Sequence, residues 1–377
     1  MEKSMSINTF KLEEYLAQHE FTAPYLLCCS DAESFGISEI LNMGSLEQKT
    51  LYHNLTLGYT EVRGLPQLRK QITLSMYPTL EADNILCFAG AEEGIFCALY
   101  TLCEPHDHVI AFTPCYQSLL EIPKLKGAIV SVIELQESNQ WKIDINEIKK
   151  NIRPNTKCII INFPHNPTGQ VITPEELQDL VSLCDKHGIW LFSDEVYRLL
   201  GKPQTTWAKP AASIYPKALS LGVMSKAFGM AGLRVGWIAC EDKILLKKIE
   251  QMKHYTSICN SAPSEILSLI ALCNKDEILA RNNNIIKSNL EILNDFFIKN
   301  HSLFEWVQPQ GGCVGFVKYK SSDAVEAFTE KLVKEQGVLL LPASVYDYTK
   351  QYFRIGFGRK NMPESLEKLE QFLKQNV

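Results

Sequence analysis

Lys226 and Arg234 stand eight residues apart in the run VMSKAFGMAGLRVGW (223–237), where they are the only charged side chains. An unpaired charge inside a protein is strongly disfavoured, so a stretch that otherwise reads as core must bring both cations to partners. An unprotonated amine is a carbonyl nucleophile, and a guanidinium presents a planar fork that suits two phosphate oxygens. Gly229, Gly232 and Gly236 let the backbone turn tightly around the pair. Taken alone, a solvated lysine beside a loop would read the same way.

Three other short stretches carry compatible chemistry. AGAEEG (89–94) is a glycine turn between a strand-like and a helical segment. The N–H groups of Gly90, Ala91 and Glu92, at the positive end of a helix dipole, suit a phosphate. A turn-closing glycine with two dipole-complementing acids is the plainer alternative. In FPHNPTGQ (163–170), prolines fix the backbone on both sides of Asn166 and hold its amide outward; an ordinary turn shares that composition. In FSDEVYR (192–198), Asp194 closes an apolar strand, where its carboxylate needs a cation or a donor, and Tyr197 follows three residues on. A capping aspartate and an unremarked tyrosine would also account for it. Together the four stretches supply a phosphate cradle, a phosphate cation, a carboxylate, an asparagine–tyrosine donor pair and a lysine nucleophile. Pyridoxal 5′-phosphate (PLP) is a ligand that uses every member of the set.

The elements that must position these groups are legible in the hydrophobic pattern. NILCFAG (84–90), HVIAFT (108–113), AIVSVIEL (128–135), KCIIINF (157–163), IWLFSD (189–194) and KALSLGV (217–223) are short apolar runs separated by helical segments. That alternation predicts an α/β fold whose mostly parallel central sheet is covered by helices on both faces. Ligands bind such sheets beyond the carboxyl ends of the strands, where all four polar stretches fall. One intervening helix, TPEELQDLVSLCDKHG, opens on a capping threonine and ends at a glycine. After about residue 275 the pattern changes to a long helix, strand-like GGCVGFVKY, a helix over 323–336, VLLLP, QYFRIGF and a last helix, which predicts a smaller α+β domain. The expected division is an N-terminal segment 1–47 covering the site, a large domain 48–275 and a small domain 276–377.

Composition narrows the function classes. The 377 residues carry 38 basic and 43 acidic side chains, a net charge of −5, with no basic block that would suit nucleic acid or an anionic membrane. No run approaches the length of a membrane span and the charged N-terminus lacks a signal-peptide pattern. The twelve cysteines form no C-x-x-C pair, so no metal site is expected and they read as buried thiols of a cytoplasmic protein.

HNPTG, SDEVY, SKAFGMAGLRVGW and the late FRIGF occur in one order and at separations that resemble the class I/II aminotransferases of the PLP-dependent fold-type I (aspartate aminotransferase-like) superfamily, from about residue 35 to the C-terminus. The resemblance implies a PLP enzyme that moves an amino group from an amino acid to a 2-oxo acid through a Schiff base on Lys226. It also implies Asp194 against the pyridine nitrogen and Asn166 with Tyr197 on the phenolic oxygen. Arg234, Ser225 and the Gly90–Ala91–Glu92 backbone would form the phosphate cup, and Tyr116 would stack on the ring. Arg354, with Asn166, would take the substrate α-carboxylate, and Gly36 would bring N-terminal backbone over the substrate. Tyr59 would reach the phosphate of a neighbouring subunit in a homodimer, and Pro114 and Pro167 would follow cis peptide bonds. Many relatives carry Ser or Thr three residues before the lysine, where this chain has Val223. The stretches LLCCSDAESFGISEIL, LTLGYTEVRGLPQLR and TSICNSAPSEIL also resemble a subgroup that includes capreomycidine synthase, which leaves a lyase or cyclase as the alternative chemistry. A PLP-binding protein without turnover is the third reading.

Overall fold

The structure is a computed structural model that describes residues 7–201 and 207–376. The apolar runs form β1 (Ile85–Phe88), β2 (His108–Thr113), β3 (Ile129–Glu134), β4 (Thr156–Asn162), β5 (Trp190–Asp194) and β6 (Ala218–Val223), joined by an unanticipated β7 (Gly236–Cys240). These make one sheet in the order β1-β7-β6-β5-β4-β2-β3. Every neighbouring pair from β6 to β3 is parallel, whereas β7 runs antiparallel to both β1 and β6. β7 was hidden because it continues the glycine-rich run that reads as a turn. Gly236 opens it where a side chain could not fit: a Cβ there would lie 2.8 Å from the carbonyl carbon of Gly90.

Helices α1 (Lys11–His19), α2 (Ile37–Met43), α3 (Leu46–His53) and α4 (Pro66–Met76) precede the sheet, and α5 (Ala91–Leu102), α6 (Ser118–Leu125), α7 (Ile145–Asn151) and α8 (Pro174–His187) lie between its strands. α8 keeps the boundaries its sequence predicts. Thr173 Oγ1 accepts from Glu176 N–H at 3.1 Å while Glu176 Oε2 accepts from Thr173 N–H at 2.8 Å, and Gly188 ends the helix at φ +65°. After the sheet come α9 (Lys243–Lys253), α10 (Ala262–Cys273) and α11 (Lys275–Lys299). Strands β1, β6 and β7 are buried along their whole length. Each fully buried Leu, Ile or Phe contributes roughly 1.5–3 kcal/mol, which makes this sheet a stiff platform.

A second, antiparallel sheet has the order β10-β11-β9-β8, from β8 (Phe304–Trp306), β9 (Val314–Tyr319), β10 (Leu341–Pro342) and β11 (Tyr352–Gly356), with α12 (Val325–Gln336) and α13 (Met362–Asn376) beside it. Only two residues of VLLLP join this sheet. Val338 instead bridges Tyr25, and Leu339 N–H donates to Tyr25 O at 2.9 Å. Gly356 N–H donates to Leu27 O at 2.8 Å, so the N-terminal segment is stitched to the same sheet.

The peptide bonds before Pro114 and Pro167 are cis, as the resemblance implies, and so is the bond before Pro164. All twelve cysteines are free thiols. Ten are buried, Cys259 is half-buried and Cys273 is exposed, which corrects the expectation of uniform burial. Among the described residues no helix is long and apolar enough to cross a membrane, and no cluster of His, Cys, Asp or Glu could hold a metal ion.

Candidate active site

A cavity of about 370 Å³ opens where β4, β5 and β6 end, lined by their last residues Asn162, Asp194 and Val223. Lys226, Tyr197, Asn166, Ser225, Arg234, Ala91, Glu92, Tyr116 and Arg354 line the same cavity. Residues more than 260 positions apart in the chain therefore meet in one place.

Asp194 is 4% exposed, and among the described residues its Oδ1 accepts only the Val196 N–H, at 3.2 Å. Burial pushes its carboxyl up to about 7, against the opposing pull of the nearby Lys226 charge. Burial also lowers the pKa of Lys226, and Arg354 adds to that lowering while Asp31 opposes it. Lys226 Nζ donates to Ser30 Oγ at 2.8 Å and lies 5.8 Å from the centre of the Tyr197 ring. Tyr197 is 1% exposed and its hydroxyl has no hydrogen-bond partner among the described residues. A buried hydroxyl without a partner costs about 1–3 kcal/mol, so this one is built to meet a ligand atom.

The phosphate end is a backbone cradle. Gly90 has φ +97°, and a Cβ there would lie 2.5 Å from Arg234 Nη2. The backbone angle is what requires glycine there, and a Cβ would in addition displace the guanidinium. α5 begins at Ala91, so its first N–H groups face the cavity beside Arg234 and Ser225. Arg234 itself holds φ +52°, and among the described residues its guanidinium makes a single hydrogen bond, Nη1 to Ala231 O at 3.2 Å. Val223 lines the cavity with an apolar side chain where a hydroxyl could have joined the cradle.

At the other end Arg354 is 2% exposed. Its Nη1 donates to Tyr346 Oη at 2.7 Å and to Asn166 Oδ1 at 3.2 Å, and Nη2 donates to Cys28 O at 2.8 Å. Its Nε has no partner among the described residues. Asn166 thereby links this arginine to the strand ends. Its own N–H donates to Asn162 Oδ1 at 2.9 Å, and Asn162 Nδ2 donates to Asp194 O at 3.2 Å.

Two expected residues lie elsewhere on this chain. Gly36 is exposed at the start of α2, its N–H donating to Glu39 Oε2 at 2.6 Å, and does not line the cavity. The N-terminal backbone that does so is Cys28–Asp31, held there by the bonds to β11 and to Arg354. Tyr59 is 92% exposed, away from the cavity of its own chain. Sequence reasoning missed Asn162, Ser30, Tyr346 and the bidentate Asp31–Arg359 pair (Nε to Oδ1 at 3.2 Å and Nη2 to Oδ2 at 2.9 Å). Asn162 had a usable signal, since it closes β4 as Asp194 closes β5; the others reach the site through tertiary contacts alone.

The donor set fits PLP: a glycine cradle with a guanidinium, a buried carboxylate short of partners, an orphaned tyrosine hydroxyl and an amine that burial holds towards neutrality. Comparison with known proteins agrees. A model of the family "Aminotransferase class I and II" matches residues 43–369. The solved structure of a PLP-dependent aminotransferase from Streptococcus suis 89-1591 superposes with a TM-score of 0.92 at 31% identity, covering 99% of each chain. The aspartate aminotransferase of Sulfurisphaera tokodaii is 25% identical over 344 residues, 86% of this chain and 84% of that protein. Capreomycidine synthase of Streptomyces vinaceus is 24% identical over 354 residues, 92% and 88% of the two chains. The chain belongs to the class I and II aminotransferase family, and it is a PLP-dependent aminotransferase with the fold-type I architecture.

Proposed function

We propose that the chain moves an amino group from an amino acid to a 2-oxo acid in the cavity beyond β4, β5 and β6, with Lys226 Nζ carrying the proton at the substrate Cα. The convergence of Lys226, Asp194 and the unpartnered Tyr197 hydroxyl in that cavity is the observation that carries this reading. PLP, when bound, supplies an electron sink for negative charge at the substrate Cα. Asp194 offers its carboxylate to the ring nitrogen and favours the protonated ring. Asn166 and Tyr197 donate to the phenolic oxygen. The Gly90–Ala91–Glu92 backbone, Ser225 and Arg234 hold the phosphate, and Tyr116 presents its ring to the cofactor. Arg354 takes the α-carboxylate and so orients Cα towards Lys226, whose amine burial keeps ready to accept a proton.

The exposed Tyr59 fits a residue that completes the site of a second copy, which would make a homodimer the working unit. The meeting of two sheets around the cavity supports a division near residues 47 and 275. Twelve free thiols fit a reducing compartment such as the cytoplasm. The likeness to capreomycidine synthase, which spans more of the chain than the likeness to the Sulfurisphaera enzyme, favours cyclisation or elimination as the second reading.

Incubation of the holoenzyme with single amino acids, with and without 2-oxoglutarate, separates the two. A new amino acid formed only with the acceptor supports transfer. Release of ammonia or water, or ring closure, without an acceptor overturns it.

A further inference from the structure

The cavity holds more carboxylates than the proposed cofactor and substrate contacts use. Asp194 is assigned to the ring nitrogen, Arg234 to the phosphate, Arg354 to the α-carboxylate and Lys226 to the proton at Cα. Asp31 and Arg359 neutralise each other in their bidentate pair. Glu92 accepts from Ser118, and burial, its largest influence, raises its pKa and favours its neutral form. Glu13 and Glu20 remain, both lining the cavity from the helix α1 and its end.

Neither is in an ion pair among the described residues, although Glu13 lies near enough to Lys226, and Glu20 to Arg359, to interact through charge. One oxygen of Glu13 accepts the Tyr116 hydroxyl at 3.0 Å, and no Lys or Arg among the described residues lies within ion-pair distance of Glu13 or Glu20. The neighbouring Lys11 is bound to Asp347. The seven-residue spacing places Glu13 and Glu20 on one side of α1 and its C-terminal end, about 10 Å apart along the axis, with Leu16 between them and Leu12 next to Glu13, all lining the cavity. α1 is fastened in that position. Lys11 N–H donates to Gln117 Oε1 at 3.1 Å, Gln117 Nε2 to Thr9 O at 2.7 Å, and Tyr15 Oη to Leu340 O at 3.2 Å. The acids do not define the site by themselves: the buried, unpartnered Tyr197 hydroxyl and Arg354 Nε in the same cavity already require a ligand.

We infer that the amino acid substrate carries a cationic side chain, an aliphatic stem lying along Leu12 and Leu16 and ending in an ammonium or guanidinium group that meets the acidic surface made by Glu13 and Glu20. A second carboxylate on the substrate would instead face two acids of its own sign. This rests on the proposed reading that Arg354 takes the α-carboxylate, and it names the substrate class for that site. A long side chain with an apolar stem and a charged end is suited to such a mixed wall.

The test is binding, so that it stands apart from turnover. Titration calorimetry on the PLP-loaded enzyme would compare 5-guanidinopentanoate, pentanoate and glutarate, which lack the amino group and cannot react. The expected result is at least tenfold tighter binding of 5-guanidinopentanoate than of pentanoate, with glutarate weaker than both. In the double variant Glu13→Gln, Glu20→Gln that preference should fall to less than threefold while pentanoate affinity stays within twofold. Glutarate binding as tightly as the guanidino acid, no preference in the wild type, or a preference that survives the double substitution each overturns the inference. If the preference appears and no amino acid is converted, the substrate class stands and the transfer reading fails.

Discussion

The two walls of the cavity are built by different means. The wall at the ends of β4, β5 and β6 presents Asn162, Asp194 and Tyr197, each almost wholly buried and attached to strands whose register is fixed by backbone hydrogen bonds. The facing wall is assembled from α1, residues 28–31, Arg354 and Arg359, with the Tyr346 hydroxyl accepting from Arg354. Side chains from opposite ends of the sequence hold it, as in the Asp31–Arg359 pair across 328 residues. The stiff wall carries the groups matched to a cofactor that never changes. The assembled wall carries those that would meet a substrate, and it can be retuned without disturbing the sheet.

The comparison breaks most decisively at Lys226. Lys226→Ala should lower turnover by about 10⁴-fold or more, because no other lysine among the described residues lines the cavity; a stopped assay over hours would measure it, and a loss below tenfold would remove the lysine from the chemistry.

Asp194→Asn should cost about 10²–10³-fold in kcat yet stabilise the cofactor-free protein. The native carboxyl is raised from an ordinary 3.8 to about 7 by burial, so between those values the folded state binds more protons than the unfolded state. Stability therefore falls as pH rises through that window, by up to about 4 kcal/mol once the pH exceeds 7. Urea unfolding of the cofactor-free proteins at pH 5 and pH 8 checks the sign: the gap in favour of the asparagine variant should widen at pH 8.

On the assembled wall, Arg354→Lys removes the planar fork and its bonds to Tyr346, Asn166 and Cys28. A fall of about 10²-fold in kcat/KM is expected, with the cofactor spectrum unchanged. The smallest effect is a gain. Val223→Thr should tighten PLP binding about two- to tenfold by adding one hydroxyl to the phosphate cradle, measured by equilibrium dialysis.

Legibility in the sequence follows the same division. Asp194, Asn166, Lys226 and Gly90 were readable because each closes an apolar strand or follows one within a few residues, and the backbone alone brings such residues to one edge of a parallel sheet. α8 was readable because its cap and its terminal glycine are local. Ser30, Asp31 and Arg359 were silent, since nothing local in CCSDAE says that it will lie beside Lys226. Gly36 was expected over the substrate for a related reason: the segment passes the cavity six residues earlier, and only the bonds from Gly356 and Arg354 decide which part of it is held there. β7 was lost to its own glycine, which is needed for close approach to Gly90.

The most direct measurement is borohydride reduction of the holoenzyme followed by peptide mass spectrometry. The phosphopyridoxyl group should be found on the peptide containing Lys226. Its attachment to another lysine, such as the buried Lys253, or its absence from a protein that had bound the cofactor, would contradict the account.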